Sequence, residues 1–194
     1  MNIITKSSNG ITLVPAETRL LTSRRVFIEG EINDTMALDF IKQIMLLVED
    51  NSEEPITIYI NSQGGSVNAG LLIYDTIVNL ETPIRTVCLG KAYSMGAIIL
   101  TCAPKRYILP NSEVMIHEPL IGNGVGGSTS TIKSVSDNLL ETKKKLNKIL
   151  SIHTGQTVRK VNEATKYDHY YDAEQAVKFG LVDEILNSSE VMKL

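Results

Sequence analysis

Four short stretches of this chain carry residue types that can do chemistry. In Gly90-Lys91-Ala92-Tyr93-Ser94-Met95-Gly96-Ala97 an apolar run ends at Leu89, small residues turn the chain, and a helical pattern begins at or just after Ser94. A hydroxyl there meets the unpaired N–H groups and dipole of a helix start, which favour a developing negative charge. Serine is also among the commonest helix caps, so the same residue reads as purely structural. His117 closes the apolar run Val114-Met115-Ile116 and precedes Pro119. An imidazole there either leaves the sheet edge or makes a structural hydrogen bond. Asp168 falls between two short helical patterns, in Lys166-Tyr167-Asp168-His169, where a loop carboxylate is commonly solvated or capping. Asn61-Ser62-Gln63-Gly64-Gly65 ends a strand pattern, and paired glycines there permit close backbone approach to a ligand. Each stretch is ordinary alone; their joint order carries the argument.

Other signals exclude chemistries. Gly122-Asn123-Gly124-Val125-Gly126-Gly127 fits a dinucleotide-binding pattern. That site needs a second strand bearing an acid about 20 residues on, and the interval here is helical. No G-x-x-x-x-G-K-[ST] is present, so this chain binds no ATP through a P-loop. Three histidines, His117, His153 and His169, and two cysteines without a CxxC partner argue against a metal site. Cys88 and Cys102 read as small core hydrophobes. No cofactor is implied.

The elements that must position these residues alternate. Asn9-Gly10 between Ile3–Lys6 and Ile11–Val14 is a hairpin signal. Strands are expected at Val26–Glu29, Ile56–Ile60, Ile84–Leu89, Arg106–Leu109, Glu113–His117 and Leu181–Ile185. Helices are expected from a cap at Asp34 to Glu49 (Met36, Phe40, Ile44 and Leu47 on one face), over Val67–Leu80, Ser94–Cys102, Thr157–Thr165 and Asp172–Phe179. A long helix runs from about Ser130 to His153, closed by Gly155. This order predicts an α/β fold with a mainly parallel sheet. The long helix projects, and its Leu139, Leu146 and Ile149 form a stripe that one small domain leaves uncovered. Lys143-Lys144-Lys145 reads as a solvated face. The 194 residues suit a single domain, and 43% hydrophobic residues supply an ample core. Nineteen basic against 22 acidic residues give a net charge of −3, which argues against a nucleic-acid binder. The polar Met1–Gly10 and the lack of an 18-residue apolar run point to a cytoplasmic protein without membrane contact. Asn187-Ser188-Ser189 fits a glycosylation sequon without a secretory context.

Taken together, the blocks Ile58-Tyr59-Ile60-Asn61-Ser62-Gln63-Gly64-Gly65, Ser94-Met95-Gly96-Ala97, Leu109-Pro110-Asn111-Ser112, Val114-Met115-Ile116-His117, His153-Thr154-Gly155-Gln156 and Gly180-Leu181-Val182-Asp183 resemble the proteolytic subunit of the Clp proteases (ClpP) from about Leu20 to Ile185. The resemblance implies the ClpP/crotonase-like spiral of ββα units with a projecting long-helix handle. It makes residues 1–194 one serine peptidase domain, with an axial hairpin at 1–17 and a handle strand and helix at 118–154. It further implies Ser94 as nucleophile, His117 as general base, Asp168 as orienting carboxylate, and an oxyanion hole from the N–H groups of Gly65 and Met95. The implied partners are further copies in two stacked heptameric rings, and an AAA+ unfoldase such as ClpX or one of the ClpC/ClpA type that delivers unfolded protein.

Several positions depart from that family. The segment before Thr18 is short, Gln63 stands in place of a proline, and Glu118 in place of a glutamine. Lys166-Tyr167 replaces an acidic-basic pair that helps couple rings. Tyr93 precedes Ser94 where a small residue is usual, and is expected to crowd the substrate cleft. They mark a divergent member. Two alternative readings are a structural or regulatory subunit of mixed Clp rings and a crotonase-type acyl-CoA enzyme.

Overall fold

The computed structural model describes residues 2–7, 10–122 and 124–194. Strands β1 (Asn2–Ser7) and β2 (Gly10–Pro15) pair antiparallel as a separate hairpin; the expected turn residues Ser8 and Asn9 lie outside the described residues. A short helix, α1 (Ala16–Leu21), follows.

The main sheet is built from β3 (Arg25–Ile32), β4 (Ile56–Gly65), β5 (Ile84–Tyr93), β6 (Lys105–Ile108) and β9 (Glu184–Ile185), in that spatial order and all parallel. Parallel neighbours require crossovers, which helices α2 (Asp34–Asp50), α3 (Val67–Val78) and α4 (Met95–Thr101) supply. Ile56–Ile60 is buried residue after residue, as a strand covered on both faces must be. Ala37, Phe40, Ile44 and Leu47 form the buried stripe of α2. Asn33 caps this helix in place of the expected Asp34, its side chain accepting from Met36 N at 3.0 Å; Asn33 is the last extended residue, which is what a cap requires.

The strands continue further than their apolar runs. Polar Asn61–Gly65 stays in β4 and Gly90–Tyr93 in β5. Gly90, at φ +140°, marks a change of neighbour. Before it, Arg85–Cys88 pairs with β6; after it, Lys91–Tyr93 pairs with β7 (Glu113–Ile116). Beyond β7 lies β8 (His169–Tyr171), antiparallel and absent from the sequence-based expectation. Three residues between two helices are too few to show a period.

The long helix α5 spans Thr129–Thr154, ends in left-handed Gly155, and is ~39 Å long. It buries only Leu146, Asn147, Ile149 and Leu150, against α4 and α6 (Val158–Ala164). The stripe expected to await another chain is therefore mostly covered within this one: Leu146 and Ile149 are core, and Leu139 is half-buried. The strand expected ahead of this helix is not formed among the described residues of 118–128. Helix α7 (Ala173–Phe179) begins with the Asp172 capping box. Arg106 gathers two helix ends, donating to His153 O and Gly180 O at 2.8 Å each, where a cation complements helix dipoles. The C-terminal α8 (Ser188–Val191) is capped by Asn187, the sequon residue, and covers Tyr59 and Val87 on the outer sheet.

Candidate active site

Ser94, His117 and Asp168 sit at the ends of three adjacent strands. β5 runs into Ser94, β7 runs into His117, and β8 starts directly after Asp168. The β7–β8 register pairs Val114 with Tyr171, Met115 with Tyr170 and Ile116 with His169. Continued by one residue, it sets His117 opposite Asp168. The Ser94 N–H donates to Met115 O at 2.8 Å, which extends the β5–β7 ladder to the serine itself.

Ser94 has φ 54° and ψ −120°. A side chain with positive φ is strained by ~1–3 kcal/mol and persists only where its surroundings impose it. Although it occupies the N-cap position of α4, its hydroxyl makes no capping bond. The hydroxyl instead lies 2.8 Å from His117 Nε2, so it is not used as a helix cap. His117 Nδ1 lies 3.1 Å from Asp168 Oδ1. The imidazole is largely enclosed, at 15% exposure, whereas the carboxylate is 56% exposed. The backbone beyond His117 is pinned by a buried polar chain. Glu118 N donates to Thr165 O at 2.7 Å, Thr165 Oγ1 donates to Asn147 Oδ1 at 3.3 Å, and Asn147 Nδ2 donates to Asn162 Oδ1 at 2.6 Å. Nothing in the local sequence marks Asn147 for this task.

The paired glycines serve two different contacts. A Cβ on Gly64 would stand 2.7 Å from Ser94 Cβ, 2.7 Å from Tyr93 O and 3.2 Å from Met95 N. At φ +91° the position also suits glycine by conformation. Gly64 therefore keeps open the space before the serine and the first N–H of α4, a donor that has no acceptor within the helix. Gly65, at φ +152°, packs on β3 instead, where a Cβ would overlap Ile32 O at 2.2 Å. The Gln63 side-chain amide lies at the β3 bulge, close to Gly30 O and Glu31 N. Beside Ser94 and His117 lies an apolar cavity lined by Val67, Ile98, Ile116, Pro119, Leu146 and Leu150.

Other candidates stay apart. Cys88 and Cys102 are buried free thiols, each pushed up to about 12 mainly by burial, and therefore inert as nucleophiles. His153 bonds Tyr74 Oη at 3.0 Å, and His169 stacks on Tyr171. Among the described residues, no cluster of three His, Cys, Asp or Glu side chains could hold a metal. Also among them, no helix is long and apolar enough to cross a membrane. Lys143 is not merely solvated, since it pairs with Glu118. Tyr93 does not line the cavity; its hydroxyl donates to Glu113 Oε1 and its ring meets Tyr170 edge-on.

A strained serine, a histidine and a carboxylate, hydrogen-bonded in series beside an apolar cleft, can activate a hydroxyl for attack on a carbonyl. The chain also matches a family model described as Clp protease over residues 9–189. Mixed α/β architecture, mostly parallel sheet and near full-length match agree: the chain belongs to the Clp protease family of serine peptidases.

Proposed function

We propose that this chain is a self-compartmentalised serine endopeptidase that cuts unfolded protein delivered by an ATP-driven unfoldase. The observation that carries the reading is the linked pair of contacts, Ser94 Oγ to His117 Nε2 at 2.8 Å and His117 Nδ1 to Asp168 Oδ1 at 3.1 Å.

In this reading His117 Nε2 takes the Ser94 proton as Oγ attacks the peptide carbonyl. Asp168 accepts from Nδ1–H, which holds the imidazole in the tautomer with Nε2 free and stabilises the cation that forms. The carbonyl oxygen becomes an oxyanion and takes hydrogen bonds from the N–H groups of Gly65 and Met95, each such donor worth ~3 kcal/mol in the transition state. His117 returns the proton to the leaving amine. Water then attacks the acyl-serine with the same base, releasing the acid and restoring Ser94. The mostly apolar lining beside Ser94 disfavours a charged side chain at the bond to be cut.

Assembly into two stacked heptameric rings is part of the proposal. Leu120, Ile121, Ile132 and Leu140 are exposed on segment 118–128 and the first half of α5, and burial against a second ring would cover them. The absence of a P-loop assigns the unfolding work to an AAA+ partner of the ClpX or ClpC/ClpA type, in the cytoplasm. A serine-reactive fluorophosphonate followed by intact mass tests the core of the reading. One adduct per chain on Ser94, abolished in Ser94→Ala, is the expected result. Peptide cleavage retained by purified Ser94→Ala would falsify the assignment.

A further inference from the structure

Asp168 is more than half exposed, and the strand behind it, β8, is three residues long. So short an edge strand holds position weakly by its own ladder. A carboxylate there needs a further tether to keep its 3.1 Å contact with His117. The side chain directly before the serine offers one.

Tyr93 lies opposite Met115 in the β5–β7 register, and Met115 lies opposite Tyr170 in the β7–β8 register. The three residues thus form one row across three strands, the arrangement in which side chains on one face meet. Across the row the rings of Tyr93 and Tyr170 meet edge to face, with centroids 5.7 Å apart and planes at 88°. Such pairs attract beyond the effect of their buried area alone. On the diagonal the Tyr93 hydroxyl donates to Glu113 Oε1 of β7. Glu113 faces Lys91 in the register, and the Lys91 ammonium stands 6.0 Å from the Tyr93 ring centre. The hydrogen bond to Glu113, followed by burial, pushes the phenol up to about 12, so it stays a donor. One side chain therefore touches the strand that ends in His117 and the strand that starts after Asp168, while itself preceding Ser94.

We propose that Tyr93 is a positioning residue: with Glu113 and Tyr170 it clamps the three strand ends together and holds Asp168 against His117. This rests on the triad reading above. Displacing a reacting group by about 1 Å costs up to ~100-fold in rate, so loss of the clamp should act on kcat rather than on substrate binding.

The test is a double-mutant cycle on the full chain, read as the rate of peptide cleavage and of Ser94 phosphonylation, with thermal unfolding in parallel. Tyr93→Ala should lower kcat about ten- to a hundredfold, with KM within about twofold. Tyr93→Phe keeps the ring contact and should recover most of that loss. In an Asp168→Ala background, Tyr93→Ala should cost little more, because the group it positions is gone. Equal losses in both backgrounds, a change confined to KM, or full activity in Tyr93→Ala would overturn the clamp. Should Tyr93→Ala fail to fold, Tyr170→Leu, on a half-exposed side chain, carries the same cycle with the same expected result. Full activity in Asp168→Ala itself would instead remove the triad reading, an outcome distinct from failure of the clamp alone.

Discussion

The end of β5 and the first half of α5 are two regions of one chain with opposite degrees of closure. Around Ser94 every element is answered within the chain. Three strand ends converge, Gly64 clears the approach, the Thr165–Asn147 chain pins the backbone beyond His117, and Tyr93 reaches two neighbouring strands. From Glu118 to Lys145 no described residue is fully buried, and large apolar side chains stand in water, Leu120 at 69% exposure and Leu140 at 53%. The first region stores its order internally; in the proposed assembly the second finishes against another copy. Chemistry and assembly should therefore respond to different substitutions.

The largest expected effect lies in the closed region. Ser94→Ala and His117→Ala should each lower kcat for a short peptide by about 10⁶-fold, the scale on which triad members act as a unit. The melting temperature should hardly move, and a metal chelator should leave the wild-type rate unchanged. Substantial residual cleavage in either variant would break the comparison at its root.

Gly64→Ala comes next. Its methyl group would press on Ser94 Cβ and Tyr93 O, both 2.7 Å away, and obstruct the Met95 N–H. A loss of kcat of about 10²- to 10³-fold matches removal of one oxyanion donor, with destabilisation of ~1–3 kcal/mol from the imposed conformation. Gly65→Ala, which meets β3 backbone, should be the more damaging to stability. The pair of denaturation curves separates the two roles.

In the open region Leu140→Glu should leave folding of the single chain intact and weaken ring pairing. Losing burial worth ~1.5–3 kcal/mol raises the dissociation midpoint by roughly tenfold or more. Light scattering across a dilution series, with peptidase activity measured in parallel, reads this. The missing acidic-basic pair at Lys166-Tyr167 should make wild-type rings dissociate more readily than those of relatives that keep it. Unchanged assembly in Leu140→Glu would mean that this face meets no second copy.

The smallest effect belongs to His153, on neither side of the divide. Burial, and then the Arg106 charge, holds its imidazole below the ordinary histidine value. Below that ordinary value the unfolded chain binds a proton that the folded chain refuses, so stability falls as pH drops until folded His153 also protonates. His153→Gln should flatten this acid limb in thermal melts between neutral and mildly acid pH, without changing peptide cleavage at neutral pH.

Much of this was legible in the chain itself. The strand–helix alternation, the helix starts near Val67, Thr157 and Asp172 and the stop at Gly155 each depend on residues within a few positions of one another. The order of several blocks singles out Ser94, His117 and Asp168 as candidates. The misreadings were of another kind. Apolar runs mark only the buried parts of β4 and β5, so their polar ends, which border the candidate site, are not read as strand. Leu146 and Ile149 looked uncovered because periodicity gives the face of a helix, never what packs on it. Adjacency to Ser94 suggests that Tyr93 faces the cleft, yet its contacts lie along the sheet.

The sequence by itself determined most of the strand–helix alternation and which side chains have the chemistry proposed for acyl transfer. Tertiary structure alone decided that these side chains meet. The Ser94–His117 contact joins residues 23 apart in sequence and the His117–Asp168 contact residues 51 apart. Both depend on β5 changing neighbours at Gly90 and on the register of a three-residue strand. Propensity and periodicity act over a few residues, whereas register is set by the packing of the whole sheet.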